Sequence, residues 1–315
     1  MVVDNPNDQA LEDLRARVTV TGVAVRQQQL EVPRRLEAGA RLEIPLTLTL
    51  TLPAAVGSIS RATRIELTVQ LAYSRGGQQQ EQSLSVAGQL YGYESMGWTD
   101  TRRAAVFVTP EQPVVSRFAA AARSVAGDRP LATVATLWAG LSEAGVTHTR
   151  DFFTPFGDAL HDTANIDFVR YPVQTLAERW GDDLELSLLL ASLLEAADVA
   201  SALVLSDGRA LVAVALGADA DRVPAELADA VWSVAGARWL MLDSSEITDL
   251  WGAARAAEAL LSGLNIDDVE MVVFREAWAD YPPAAGPDIN ELLADTDAIG
   301  NAMRSAVRDL STADQ

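Results

Sequence analysis

Apolar and polar residues alternate through the first third of the chain. The segments RVTVTGVAV (17–25), LEIPLTLTLTLP (42–53), TRIELTVQLAYS (63–74) and QSLSVAGQLYGY (82–93) place an apolar side chain at nearly every second position. In the second of these, Leu42, Ile44, Leu46, Leu48, Leu50 and Leu52 share one side and Thr takes much of the other. A period of two is that of a strand with one buried face. SRGGQQQEQ (74–82), made of Gly and polar residues, reads as the hairpin loop between the last two strands. At least four strands, each with one apolar face, need a cover, and a second sheet is the economical one. The expectation is an antiparallel β-sandwich over residues 14–110.

From about residue 111 the period changes. PVVSRFAAAARSVAG (113–127) and PLATVATLWAGLSEAG (130–145) are helical, each opened by Pro in the first turn and closed by Gly. A loop rich in Asp, Thr and Phe follows (148–169), then a short helix YPVQTLAERWG stopped by Gly181, then a long Leu-rich one, LELSLLLASLLEAADV (184–199). SALVLSDGRALVAVAL (201–216) reads as a hairpin with a tight Asp207-Gly208 turn, and VWSVAGARWLMLDSS (231–245) as a second hairpin. ITDLWGAARAAEALLSGLN (247–265) predicts a helix, VEMVVFREAWADY (269–281) a strand, and the tail from 286 a helix with a polar end. Helices first and strands next, within one region, predict an α+β domain over 111–283, followed by a helical tail over 284–315.

Composition narrows the chemistry. Of 315 residues none is Cys, so disulfides, thiolate metal sites and a cysteine nucleophile are excluded. All 24 basic residues are Arg, which excludes Schiff-base and P-loop lysine chemistry. The net charge of −20 sits entirely beyond residue 120; before it, 12 Arg balance 12 acidic residues. Such a surface repels phosphate backbones, so nucleic acid is not an expected partner, whereas a basic protein would suit it, and a homo-oligomer is compatible with it. No apolar run is long enough for a membrane span, and the first residues carry neither a basic start nor an apolar stretch. Taken at face value this predicts a cytoplasmic protein.

Few residues carry candidate chemistry. His148 and His161 are the two histidines and flank the Phe-rich loop, with Asp151, Asp158, Asp162 and Asp167 nearby. Their spacing matches neither a helix-borne HExxH nor an Asp-rich calcium loop, and GADADRV (217–223) also lacks the carboxylates of such a loop, so no metal and no cofactor is expected. The seven Trp sit mostly beside periodic apolar positions and are expected in the core. At the mouth of the Leu-rich helix stand Asp182 and Asp183. One of them is expected to be the N-cap, which accepts orphan backbone N–H groups. Ser187, one turn further, is best read as a small packing residue.

The order helix, hairpin, then a strand ending in an acid resembles the bacterial transglutaminase-like superfamily, with its papain-like architecture. Gly181-Asp182 and Leu186-Ser187 match that family's helix-opening run, Ala202-Leu203-Val204 and Gly208 its next strand and turn, Trp239 and Asp243 its closing pattern, and YPVQTL (171–176) a box found in a subset of members. The resemblance covers roughly residues 95–245. It implies that Asp183 stands at the cysteine position, Arg209 at the histidine position, and Leu184-Glu185 at an acidic pair; only Asp243 keeps a side chain suited to the third triad position. A carboxylate is a feeble nucleophile toward an amide, and a guanidinium cannot serve as general base. The resemblance therefore implies a degenerate member that has lost thiol acyl transfer: a non-catalytic pseudoenzyme for protein interaction or scaffolding, with Asp183 and Arg209 ion-paired and Asp243 beyond. Two rivals stand beside it. One is a hydrolase of altered chemistry using Asp183 or Ser187, expected to show a concave pocket and a carboxylate of raised pKa; the other is a structural subunit of a larger assembly.

Overall fold

Eleven residues from Leu11 to Thr21 carry the alternation that organises the N-terminal unit. The structure is a computed structural model and describes residues 1–22, 26–44, 62–150, 156–162, 165–289 and 296–313. Two compact units divide it, 1–93 and 94–315. The first contains β1 (Val2–Asp4), β2 (Leu11–Thr21), β3 (Arg26–Leu30), β4 (Arg35–Leu36), β5 (Arg41–Glu43), β6 (Thr63–Arg75) and β7 (Gln78–Leu90). The strands β3-β2-β6-β7 form an antiparallel sheet in that order, with β4 also on β2, while β1 pairs with β5. Leu14, Ala16 and Val18 of β2 and Val69 and Leu71 of β6 are buried on one face, as period two requires. The run Leu46–Leu52 lies outside the described residues. The hairpin loop is shorter than the sequence suggests: Gly76 and Gly77, at φ +57° and +80°, make the whole turn, and Gln78 to Gln82 continue β7. Two glycines in the left-handed region suffice for a two-residue hairpin, and the glutamines take a largely exposed strand.

The second unit begins at residue 94, ahead of the expected boundary at 110/111. Its first segment is held by its own contacts: β8 (Ser95–Gly97) pairs with the strand Ile166–Phe168, and the 3-10 turn Thr101–Phe107 accepts from Trp278 Nε1 at Ala105 O, 3.1 Å. Then come α1 (Pro113–Ala126), α2 (Pro130–Glu143), β9 (Thr147–His148), α3 (Phe156–His161), β10 (Ile166–Phe168), α4 (Pro172–Glu178), β11 (Trp180–Gly181) and α5 (Asp183–Ala196). They are followed by β12 (Ser201–Ser206), β13 (Arg209–Ala215), β14 (Val231–Val234), β15 (Ala237–Leu242), α6 (Leu250–Leu261), β16 (Glu270–Val273), α7 (Phe274–Ala277) and α8 (Thr296–Ala313). The five-stranded antiparallel sheet runs β14-β15-β13-β12-β16. The chain is therefore mixed α+β with antiparallel sheets.

Both faces of this sheet are covered. Ala202, Val204, Leu211, Ala213, Trp239 and Met241 form one cluster with Ala257 and Leu261 of α6. The alternate residues, Leu203, Val212, Leu240 and Leu242, are equally buried and lie on the side of α5. That explains why α5 is apolar almost all round: a helix with no polar stripe is a buried one. The tail helix α8 belongs to this unit too. Ile299 and Met303 are buried, and Met303 packs where Gly140 of α2 has no side chain; a Cβ there would come within 2.6 Å of Met303 Cε.

Two further expectations need correction. The helix α4 ends at Glu178 and is closed by Arg179 in the left-handed region, φ +62°, not by Gly181. Trp180-Gly181 instead pairs in parallel with Thr147-His148. The segment 269–281 is strand only over Glu270–Val273. Turning into α7 buries Phe274 completely and brings Arg275 Nε to 2.6 Å from the buried Glu195 Oε2. Among the described residues no helix is long and apolar enough to cross a membrane.

Candidate functional site

The mouth of α5 is built by a capping box. Asp182 Oδ1 accepts the Glu185 N–H at 2.8 Å, and Glu185 Oε2 accepts the Asp182 N–H at 3.2 Å. Asp182 is therefore the N-cap, and Asp183 is the first helical residue. Gly181 just before it is packed tightly: a Cβ would meet Thr175 Cγ2 at 2.9 Å and Glu185 Cβ at 3.2 Å. This close approach is a physical reason for glycine at the position.

With its backbone committed to the helix, Asp183 sends its carboxylate to the β12–β13 hairpin. The turn there is Asp207-Gly208, both at positive φ (+48° and +69°), and Ser206 faces Arg209 across it. Arg209, the first residue of β13, donates from Nε to Asp183 Oδ2 at 2.9 Å, and the Ala210 N–H reaches the same oxygen at 3.2 Å. The other end of the guanidinium meets Asp243, with Nη2 at 3.1 Å from Oδ2 and 3.3 Å from Oδ1. Asp243, at the end of β15, also accepts from Ser245 N and Oγ at 3.0 and 2.7 Å. Burial opposes the charge on Arg209, but Asp243 and Asp183 more than offset it and raise its pKa above the ordinary value. The structure thus brings Asp183, Arg209 and Asp243 into one linear chain.

Ser187 is fully buried. Its Oγ lies 3.0 Å from Ser244 Oγ and donates to Ala210 O at 3.3 Å, while Ser244 Oγ reaches Asp183 O at 3.0 Å. These hydroxyls tie helix, hairpin and strand end together, and no substrate atom has access to them.

A cavity of about 550 Å3 opens over the chain, lined by His148, Phe156, Asp158, Asp182, Asp183 and Arg209 among others. His148 stands there as an exposed residue of β9. Asp151 lies outside the described residues, and among those described no three His, Asp or Glu side chains gather as a metal-binding group. Asp167 is not part of the cavity wall; it is buried and accepts from Trp98 Nε1 at 3.0 Å.

Sequence reasoning missed the arginine behind the helix mouth. Arg170 grips Glu185 through its backbone N–H and Nε, at 3.1 and 2.9 Å from Oε1, and through Nη2 to Oε2. Its Nη1 reaches Glu178 at 2.6 Å, and its guanidinium lies 3.5 Å from the centre of the Trp180 ring. Burial works against the charge, but Glu185 and Glu178 overcome it, so the Arg170 pKa is raised. Asp182 receives neither arginine. Desolvation first, then the nearby charges of Glu185, Asp183 and Asp167, push its carboxyl up to about 8, against the pull of its bond from the Glu185 N–H.

The chain matches no protein-family model, no curated protein and no solved structure.

Proposed function

We propose that the second unit is a degenerate transglutaminase-like domain, preceded by a β-sandwich, and that it serves as a non-catalytic protein-binding module. What carries this reading is the Asp183–Arg209–Asp243 chain at the N-terminus of the buried helix α5. In the resembling family a thiolate, an imidazole and an acid stand in that order. Here the negative end still lies in the first turn of a helix and the positive middle still bridges to an acid. The charges keep their places, while an arginine that cannot give up its proton and a carboxylate that attacks amides poorly remove the reaction. The cavity wall carries both signs, Asp158, Asp183 and Asp207 beside Arg150 and Arg209, and suits a polar partner segment.

The absence of native cysteine makes a direct test simple. The double substitution Asp183→Cys with Arg209→His should place a thiol at the helix mouth beside an imidazole backed by Asp243. Its iodoacetamide labelling should persist well below the free-thiol pKa of about 8.5 and fall when Asp243→Asn is added. A thiol titrating near 8.5 regardless of Arg209→His sinks the triad geometry. Turnover of glutamine-donor or peptide substrates by the unaltered chain, lost on Asp183→Ala, sinks the non-catalytic reading.

One observation favours a second reading, the hydrolase of altered chemistry. A carboxyl group held protonated to about pH 8 beside another acid, in a cavity, is an arrangement suited to acid–base work. In that reading Asp182 is the acid and Asp183 the partner; hydrolysis lost in both Asp182→Asn and Asp183→Ala would establish it.

A further inference from the structure

The two edges of the five-stranded sheet are finished differently. At one, β16 runs straight into α7, and Thr101 Oγ1 of the neighbouring 3-10 turn donates to Glu270. At the other stands β14, paired only with β15 among the described residues. Ala235 and Gly236, at φ +52° and +81°, make the two-residue turn between these strands. Such a turn closes on a hydrogen-bonded pair, Val234 with Ala237, so the pairs alternate from there. Trp232 and Val234 spend their backbone groups on β15, and Val231 and Ser233 turn theirs outward. Arg238, the partner of Ser233, confirms the alternation, because its carbonyl accepts from Leu216 N at 2.9 Å on the β13 side. The Val231 N–H is already used, donating to Ala228 O of the 3-10 turn Ala225–Ala230, whereas among the described residues no backbone group meets the outward C=O of Val231 or the N–H and C=O of Ser233.

Beside this edge lies a cavity of about 530 Å3. Its apolar wall is Trp232, Leu261, Leu264 and Ile266, and its acidic rim is Asp229 and Glu258. The C-terminal end of α6 points here. Its last turn carries no basic residue, and Glu258 adds negative charge where a helix favours a cation. The free main-chain groups of Ser233, an apolar recess that Val231, Trp232 and Ser233 themselves line, and an acidic rim describe a strand acceptor.

We propose that β14 is a docking edge for an extended segment of a partner protein, one in which an apolar side chain is flanked by arginine or lysine. The segment adds a sixth strand through the N–H and C=O of Ser233 and the C=O of Val231. Its apolar side chain enters the recess against Trp232, and its cations meet Asp229, Glu258 and the end of α6. This surface is separate from the Asp183–Arg209 cavity, sharing no lining residue with it, and holds whichever reading of that cavity is right.

The probe is a displayed library of random dodecapeptides selected against the full chain, with binding of the enriched peptides measured by isothermal titration. Enriched sequences should alternate basic and apolar residues. Ser233→Pro removes an N–H that the native sheet does not use, so the fold should stay while binding weakens by about tenfold or more. Glu258→Arg, at a position away from the backbone edge, should weaken the same peptides without altering the sheet, and Asp183→Ala should leave them unaffected. N-methylation of the peptide at alternate amides should abolish binding in one register only. The proposal is overturned if selection enriches nothing, if enriched peptides bind the Ser233→Pro and Glu258→Arg chains as well as the unaltered one, or if a scrambled peptide of the same composition binds equally.

Discussion

Two arginines flank the mouth of α5, each bridging two carboxylates, and they are built for different ends. Arg170 leaves only 16% of its side chain exposed, and its main acid, Glu185, 8%. It is stacked on Trp180 and locked bidentately, and the acid it holds is half of the capping box that starts the helix. Arg209 leaves 39% exposed and forms part of a cavity wall. It is pinned at Nε and Nη2, so its plane is fixed although it meets solvent. A largely enclosed pair has one role, to satisfy a buried charge. A half-open, oriented one can meet something from outside.

The sharpest way to break the comparison is to remove the buried arginine. Arg170→Met leaves Glu185 charged, enclosed and without its fork, and should cost about 3–5 kcal/mol of folding stability, read from urea unfolding. A loss within a fraction of a kcal/mol would mean that Glu185 is neutral or hydrated in the native state and that the two arginines do not differ as described.

Between the arginines lies the carboxyl that neither reaches. Because the native pKa of Asp182 is raised to about 8, the folded protein keeps a proton that the unfolded chain releases near pH 4. The stabilising contribution is therefore complete below about pH 4 and is lost as pH rises toward 8, with a slope approaching about 1.4 kcal/mol per pH unit within that window. Asp182→Asn keeps the acceptor for the Glu185 N–H and should flatten the slope. Unfolding of both proteins at about pH 5.5 and about pH 7.5 isolates the effect, since the two histidines are common to both. Equal slopes would remove the proton from Asp182 and with it the hydrolase reading.

Much of this architecture is legible in the sequence, for local reasons. The Asp207-Gly208 turn needs positive φ, which those residue types tolerate, and Pro113 and Pro130 announce helix starts by lacking an N–H. The α5 helix declares its burial by having no polar face. What stayed hidden depends on tertiary contacts. Arg179 in the left-handed region goes against residue preference, and the parallel pairing of Trp180-Gly181 with Thr147-His148 holds the chain there. The strand after Glu270 stops at Val273 because Arg275 is drawn to Glu195 across the fold. At the site, Asp183, Arg209 and Asp243 could be named only through the resemblance to the transglutaminase-like superfamily, which points to a helix start, a hairpin turn and a strand end in that order. Arg170 could not, because its partner is 15 residues away and nothing in the spacing of a loop residue predicts which acid it will meet. The proton on Asp182 was equally hidden: a capping carboxylate normally titrates low, and only the crowding of Glu185, Asp183 and Asp167 in a dry setting reverses that.

The smallest expected effect belongs to the exposed member of the pair. Arg209→Met removes the bridge, yet each acid keeps other donors: Asp243 retains Ser245 N and Oγ, and Asp183 retains the Ala210 N–H. Water can also enter from the cavity side, which lowers the cost of leaving two carboxylates near each other. The loss should be about 1 kcal/mol, well below that for Arg170→Met, and added salt should shrink it by screening the two acids. Thermal unfolding at low and high ionic strength measures both quantities. A cost equal to that of Arg170→Met, insensitive to salt, would make Arg209 a second enclosed strut, and a cavity walled by a strut has no oriented cation or carboxylate to offer a partner.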